Sequence, residues 1–504
     1  MKIKLLFSIM FFIWFFGSIS ADPIDTTLAK TVAQNLYWGR VPEVKGISYS
    51  DIKPQLVHTR HEQGNNIYYV FDFEDNNGFV IISADDDAYP VLGYSFEGTY
   101  KNENQPPAFI EWMNHYKDQI LFIKKNNLKA DKKIAIEWST LQTFSPSPKG
   151  LKSVEPLLKT DWGQGQYYNS SCPVDANGID GHAKVGCVAV AMGQVMKYHN
   201  HPNQGVGSHN YNDPINLDND DNPIPGSDYG YQSANFGATI YNWANIPYNT
   251  STHNSDLATL LYHCGVSVEM NYGPGSSSAS TGTVDDALEN YFGYDHSAEY
   301  INKTDKTDIQ WENNLMNELD AGRPLVYRGS NSDGDGHAFV CDGYQGTNYF
   351  HFNWGWYGEE GYYYLENLSP LILYPTNQAA VVGIKPQGNI QPTLTNPQVN
   401  PYNGVESTEF KFSVFYYDPN GDVPLGGESK LNLYGQENKT LKMSLESGVA
   451  YNGIYSCTTT LQIGQYYHRF YFLNSSNQEV QTSWSHLRES VSYGFMSQTQ
   501  NVVN

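Results

Sequence analysis

The sequence predicts an α+β protein built from several units and closed by an all-β sandwich. Three observations carry this expectation. Behind Cys187, the apolar residues Val188, Ala191, Met192, Val195 and Met196 recur at helical spacing. Around His337 the apolar residues switch to short strand-like runs. From Pro386 onward, alternating strand candidates replace the mixed pattern altogether. A chain of 504 residues is far too long for one hydrophobic core, since domains run to about 100–200 residues. The expected division is a signal peptide over 1–21, an α+β unit over 22–148, a chemistry-bearing unit over 149–385 and a β-sandwich over 386–504.

The first segment carries Lys2 and Lys4, an apolar run from Leu5 to about Phe16, and small residues from Gly17 to Ala21. It reads as an export signal cut after Ser20 or Ala21. No later segment approaches the ~18 continuous apolar residues that a spanning helix needs, so stable membrane insertion is not expected. In the second unit, the apolar runs Asn66–Phe73 and Gly78–Ala84 flank Glu-Asp-Asn-Asn-Gly as a hairpin, and Tyr89–Tyr94 adds a strand. Phe109, Trp112, Met113, Tyr116, Ile120 and Ile123 then predict a helix over Pro107–Asn126. Ser145-Pro146-Ser147-Pro148-Lys149-Gly150 breaks any element and is both a linker and a candidate processing site.

In the third unit, the helix behind Cys187 should stop at Asn200-His201-Pro202, where proline cannot continue it. Further helices are expected from Ser255 to Cys264 and from Asp285 to Tyr291. Ala338–Asp342 and Tyr349–Asn353 read as strands joined by a turn. A helix-rich half carrying a thiol would thus face a strand-rich half carrying an imidazole. In the last unit, Glu409–Tyr417 places Phe410, Phe412, Val414 and Tyr416 on one face. Lys430–Tyr434, Ile454–Leu461 and Tyr466–Leu473 continue a small sandwich.

Charge and cysteine usage narrow the function. Thirty basic against 53 acidic residues give a net charge of −23, which lacks the basic footprint that nucleic acid or an anionic membrane requires. Five scattered cysteines cannot make a disulfide scaffold, and an odd number leaves at least one free thiol.

Cys187 has a reason to be that thiol. It opens a helix, where unpaired backbone N–H groups and the dipole favour an anion, although a Gly-Cys-apolar run also suits a buried small hydrophobe. His337, between a Gly/Asp loop and an apolar strand, could activate it or could be a core histidine. Gln164, between glycines upstream, could lend its amide to a developing oxyanion. Asn353 and Trp354 could orient the imidazole and shield the pair from water, or pack as an aromatic strand. Together these are the parts of a cysteine protease site. No metal is expected: His182, Cys187, His337 and Cys341 fit no zinc spacing, and Asp218–Asn222 fails the EF-hand pattern at Pro223 and Tyr229. No cofactor is called for.

The stretches 186–200, 272–279, 336–343 and 351–356 together resemble the streptopain family (peptidase family C10) of secreted bacterial cysteine peptidases, which have a papain-like, two-lobed fold. The resemblance covers about 150–385 and extends upstream to the family's inhibitory propeptide. It implies Cys187 as nucleophile, His337 as general base and acid, Gln164 in the oxyanion hole, and Ser278 and Gly336 along the substrate cleft, where backbone groups would hold an extended peptide. It further implies protein or peptide substrates, the chain's own propeptide as intramolecular inhibitor, an apolar preference two residues before the scissile bond, and a place outside a bacterial cell or on its surface. The sequence departs from the family pattern at Tyr357, where glycine is common, at Cys341, and in the immunoglobulin-like extension 386–504. The competing reading is a catalytically silent surface binding protein on a peptidase scaffold.

Overall fold

The computed structural model describes residues 24–41, 48–143, 152–215, 228–330, 336–358, 360–371, 377–388, 391–401, 404–418, 422–474 and 478–487. The signal segment, the 145–150 linker, the acidic run at 218–222 and most of the Gly329–Gly336 loop lie outside the described residues. The contacts divide the chain into two units. One comprises Met1–Tyr100, Tyr116–Pro148 and Asn367–Leu373; the other comprises Lys101–His115, Lys149–Glu366 and Tyr374–Asn504.

In the first unit, the strands Gln55–Glu62, Asn65–Asp72, Phe79–Ser83 and Val91–Ser95 form an antiparallel meander in that order. The expected hairpin is its centre, with Tyr69 opposite Ile82 and Phe71 opposite Val80. The helix Thr26–Arg40 is capped by Asp25, whose carboxylate accepts the Leu28 N–H at 2.8 Å. It buries Ala29, Val32, Ala33 and Leu36. The helix Lys132–Gln142 anchors itself through Trp138, whose indole N–H donates to the Ala88 carbonyl at 2.9 Å.

In the second unit, the helix Cys187–His199 is buried along nearly its whole length. Gly186 makes its start possible: the residue sits at φ 90°, and a Cβ there would lie 2.6 Å from the Met270 thioether. Asn200 stops the helix in the left-handed conformation. The helix packs beside Ser255–Ser267 and against an antiparallel sheet ordered Glu360–Tyr364, Tyr349–Asn353, Gly336–Gln345, Leu325–Ser330, Ala379–Val382 and Glu299–Asn302. Val326, Ala338, Val340 and Val381 join residues of both helices in one core. A buried ion pair between Asp342 and His351, 2.6 Å apart, braces the sheet, and Asp342 also accepts the Leu158 N–H at 2.9 Å.

The C-terminal residues form two antiparallel sheets. Thr393–Asn400, Glu409–Tyr417, Asn452–Thr460 and Ser444–Val449 make one; Lys439–Lys442, Pro424–Gly435, Tyr466–Asn474 and Glu479–Gln481 make the other, with Ser485–His486 also paired to Tyr466–Asn474. Phe410, Phe412, Val414 and Tyr416 meet Leu431, Leu433, Phe470 and Phe472 in a shared core, the arrangement expected of a sandwich. This sandwich touches the far end of the Cys187 helix: the rings of Tyr417 and Tyr198 lie 5.9 Å apart, and Tyr451 lies against Gly322.

Candidate active site

The helix start and the sheet edge enclose a cavity of about 520 Å³, whose lining includes Cys187, His337, Gln164, Ser278 and Gly336. Five of the seven residues expected from the sequence are therefore gathered at one opening. The Cys187 sulfur accepts the Ala338 backbone N–H at 3.4 Å. Burial pushes the thiol pKa up, while the N–H groups of Ala338, Val188 and Cys187 itself favour the anion. Gln164 is fixed through its backbone, whose carbonyl accepts the Val185 N–H at 2.9 Å, and its side chain is left at the cavity wall.

Asn353 and Trp354 do something other than line the opening. Both are buried. The Asn353 oxygen accepts from the Gln194 amide at 3.1 Å and the Gly355 N–H at 3.0 Å, and its amide donates to the Thr160 carbonyl at 2.8 Å and to Glu360 at 3.2 Å. The Asn353 oxygen thus serves Gln194 of the helix Cys187–His199 and the backbone of Gly355. Trp354 lies at the centre of an aromatic cluster with Phe339 at 4.6 Å, Tyr363 at 5.1 Å and Phe352 at 5.3 Å. Phe109 and Trp112, from the segment Lys101–His115, complete it, with Trp112 5.0 Å from Phe352 and 6.2 Å from Trp354. Pro107 of that segment also reaches the cavity.

Ser278 lines the cavity, but its N–H and C=O pair with Asn271 at 3.0 and 2.8 Å. Its carbonyl keeps a second lone pair and its side chain a hydroxyl. Gly336 begins the strand that carries His337 and is exposed. His182 contacts the Cys172 carbonyl through Nδ1 at 2.8 Å, and Cys341 is fully buried in the sheet.

Trp356 also lines the wall, together with two residues that the sequence did not single out, Lys184 and Arg328. Lys184 lies three residues before Cys187, and Arg328 lies on the strand paired with that of His337. Tyr357 adopts φ 57°, the left-handed region where glycine is at ease, and its ring covers Gly163: a Cβ on Gly163 would lie 2.4 Å from that ring.

Comparison with known proteins agrees with this geometry. A family model described as the Peptidase C10 family matches residues 162–364, and one described as Spi protease inhibitor matches residues 21–120. Streptopain of Streptococcus pyogenes serotype M28 is 35% identical over 364 residues, 67% of this chain and 86% of that protein. Thiol protease/hemagglutinin PrtT of Porphyromonas gingivalis is 29% identical over 408 residues, 76% of this chain and 44% of that protein. Among solved structures, a prointerpain A fragment of Prevotella intermedia, a cysteine-to-alanine mutant, is similar with a TM-score of 0.53 and 34% identity, covering 67% of this chain and 100% of that one.

Proposed function

The chain belongs to the peptidase C10 family of cysteine peptidases, and from that premise we propose that it is an exported zymogen whose Cys187 and His337 form the catalytic pair. The observation that carries this reading is the single cavity lined by Cys187, His337 and Gln164, with a backbone N–H already directed at the sulfur. The signal-like start of the sequence supports export, and no helix among the described residues is long and apolar enough to cross a membrane.

The match of residues 21–120 to a protease inhibitor, and the seating of Phe109 and Trp112 on Trp354, support an N-terminal propeptide that keeps the enzyme silent. We take its extent as 22–148 and that of the peptidase as 149–385, with activating cleavage around 145–152. Once the segment Lys101–His115 leaves, His337 takes the Cys187 proton, and the thiolate so formed is stabilised by the imidazolium and the helix N-terminus. Attack on a peptide carbonyl places negative charge on its oxygen, which the Gln164 amide and the Cys187 N–H receive. His337 then protonates the leaving amine. The same imidazole takes a proton from water, which cleaves the thioester and restores the thiol.

The 386–504 extension we read as an immunoglobulin-like accessory, from its two antiparallel sheets around one core. Replacing Cys187 by alanine should abolish hydrolysis of casein and self-processing, a loss of at least ~10⁴-fold. An epoxide that traps active thiols should label the nicked wild type at Cys187. A C187A variant that still cleaves, or a nicked wild type that resists labelling, would favour the silent binding protein instead.

A further inference from the structure

The C-terminal sandwich turns one face of its second sheet outward, and that face is aromatic. Along Pro424–Gly435 and Tyr466–Asn474, Leu431, Leu433, Phe470 and Phe472 point into the core, so Lys430, Asn432 and Tyr434 on one strand and Tyr467, Arg469 and Tyr471 on the next point away from it. Strand register sets them side by side: Tyr434 stands opposite Tyr467, Asn432 opposite Arg469, and Lys430 opposite Tyr471. Tyr434 is 61% exposed and Tyr467 45%. Trp484, 46% exposed, joins the same face, because the Arg469 guanidinium lies over its ring at 4.7 Å.

These rings are held in place. His486 pairs with Tyr467 across the strands, and their rings lie 4.9 Å apart. The Lys430 ammonium sits over the Tyr471 ring at 5.9 Å. The Thr440 hydroxyl donates to Asn432 Oδ1 at 3.0 Å, which fixes the plane of that amide. Residues paired across antiparallel strands share a face, so Thr440 beside Asn432, Lys442 beside Lys430 and Gln481 beside Tyr471 complete the surface with polar groups. The result is a sheet of rings interleaved with donors and acceptors, fixed before any ligand arrives.

Size and chemistry select the occupant. Strands ~4.8 Å apart and a rise of ~3.4 Å per residue give this patch an area on the order of 300 Å². A stable protein interface takes ~800 Å² from each partner and centres on apolar side chains, so the patch is too small and too polar for one. A net charge of −23 disfavours nucleic acid, the other ligand that stacks on rings. A pyranose fits both features: its C–H faces lie on aromatic rings, and its rim of hydroxyls exchanges hydrogen bonds with amide, guanidinium and imidazole groups. We propose that the face carrying Tyr434, Tyr467 and Trp484 binds a neutral oligosaccharide of a glycoprotein. The choice of a glycoprotein over a free polysaccharide rests on the peptidase reading, since such a protein would thereby be tethered to the enzyme; the sugar site itself does not.

The test uses the full-length C187A protein, which cannot digest its ligand, passed over immobilised ovalbumin and asialofetuin, the same two proteins after enzymatic deglycosylation, and yeast mannan and laminarin as free polysaccharides. The protein should bind at least one glycoprotein, lose at least ~10-fold in affinity for its deglycosylated form, and keep its binding in ~1 M salt, where charge pairing is screened. Tyr434→Ala, Tyr467→Ala and Trp484→Ala in that background should each weaken binding at least ~10-fold, the worth of one ring contact, and Tyr434→Trp should retain it. All three side chains are exposed, so unchanged unfolding midpoints will show that the variants are folded. Binding to neither glycoprotein, binding that survives deglycosylation, binding to the polysaccharides alone, or alanine variants that bind as the parent does overturns the proposal. So does binding by a chain ended after Leu487 where the full chain does not bind, because the face would then be the seat of residues 488–504. Sugar binding by the C187A protein together with a wild type that neither cleaves casein nor takes the epoxide sinks the peptidase reading and leaves the sugar site standing.

Discussion

Gln194, on the buried side of the helix Cys187–His199, donates its side-chain amide to Asn353 Oδ1 at 3.1 Å, and through Asn353 the helix is tied to the strand that follows His337. Gln194 also accepts the Thr160 hydroxyl at 2.9 Å, so the segment before Cys187, the helix behind it and the His337 sheet meet in one buried polar knot. The helix Cys187–His199 and the sheet that carries His337 are held in register here.

Asn353→Ala should therefore destabilise the protein by about 2 kcal/mol or more, because the Gln194 amide, the Gly355 N–H and the Thr160 carbonyl would be left buried and unpaired. Chemical denaturation of the C187A background, which cannot digest itself, measures this directly. A loss below about 0.5 kcal/mol would show that the knot does not hold the lobes.

Trp112→Ala should shorten the lag before self-processing. The indole is buried against Phe352, Phe339 and Trp354, and removing a buried tryptophan forfeits about 3–5 kcal/mol of packing. Time courses of zymogen conversion at equal concentration should separate the variant from wild type several-fold. Identical time courses would mean that these rings play no part in latency.

Stability should fall in acid before the carboxylates titrate. Burial lowers the pKa of His199 to about 3, with the His201 and Arg323 charges adding to it, and burial lowers those of His263 and His468 to about 4. The unfolded chain protonates near 6.5 while the fold keeps these rings neutral, so the unfolded state binds more protons as pH drops below 6.5, and stability declines from there toward pH 4. His199 alone accounts for up to about 3 kcal/mol of that decline. His199→Phe should flatten the pH dependence of the unfolding midpoint between pH 6.5 and 4; an unchanged slope would assign the decline to other groups.

Long or strongly patterned elements were legible in the sequence. The helix Pro107–Asn126 and the strands Tyr349–Asn353 and Glu409–Tyr417 have the expected bounds, because an apolar stripe or a strict alternation runs their whole length. The helix Asp308–Asp320 was missed: it buries only Trp311, Glu312, Leu315 and Leu319 among polar residues, and tertiary packing supplies what its pattern lacks. The sheet's outer strands Glu299–Asn302 and Ala379–Val382 were missed because four residues carry too little periodicity.

In the site, Cys187, His337 and Gln164 were legible from glycine-flanked positions next to apolar runs. Asn353 is buried and bonded to Gln194 and Gly355, partners that sequence spacing does not indicate. Lys184 and Arg328 gave no local signal at all; only strand register brings the arginine beside Ala338.

The ring of Tyr357 lying where a side chain on Gly163 would stand ties the histories of two distant positions together. Any descendant of this chain that acquires alanine at 163 must first shrink the tyrosine, and one that restores glycine at 357 opens room at 163 for drift. Both adjoin Gln164, so changes in the Tyr357 loop set what the cavity wall at Gln164 can tolerate, and related sequences should vary at both positions together.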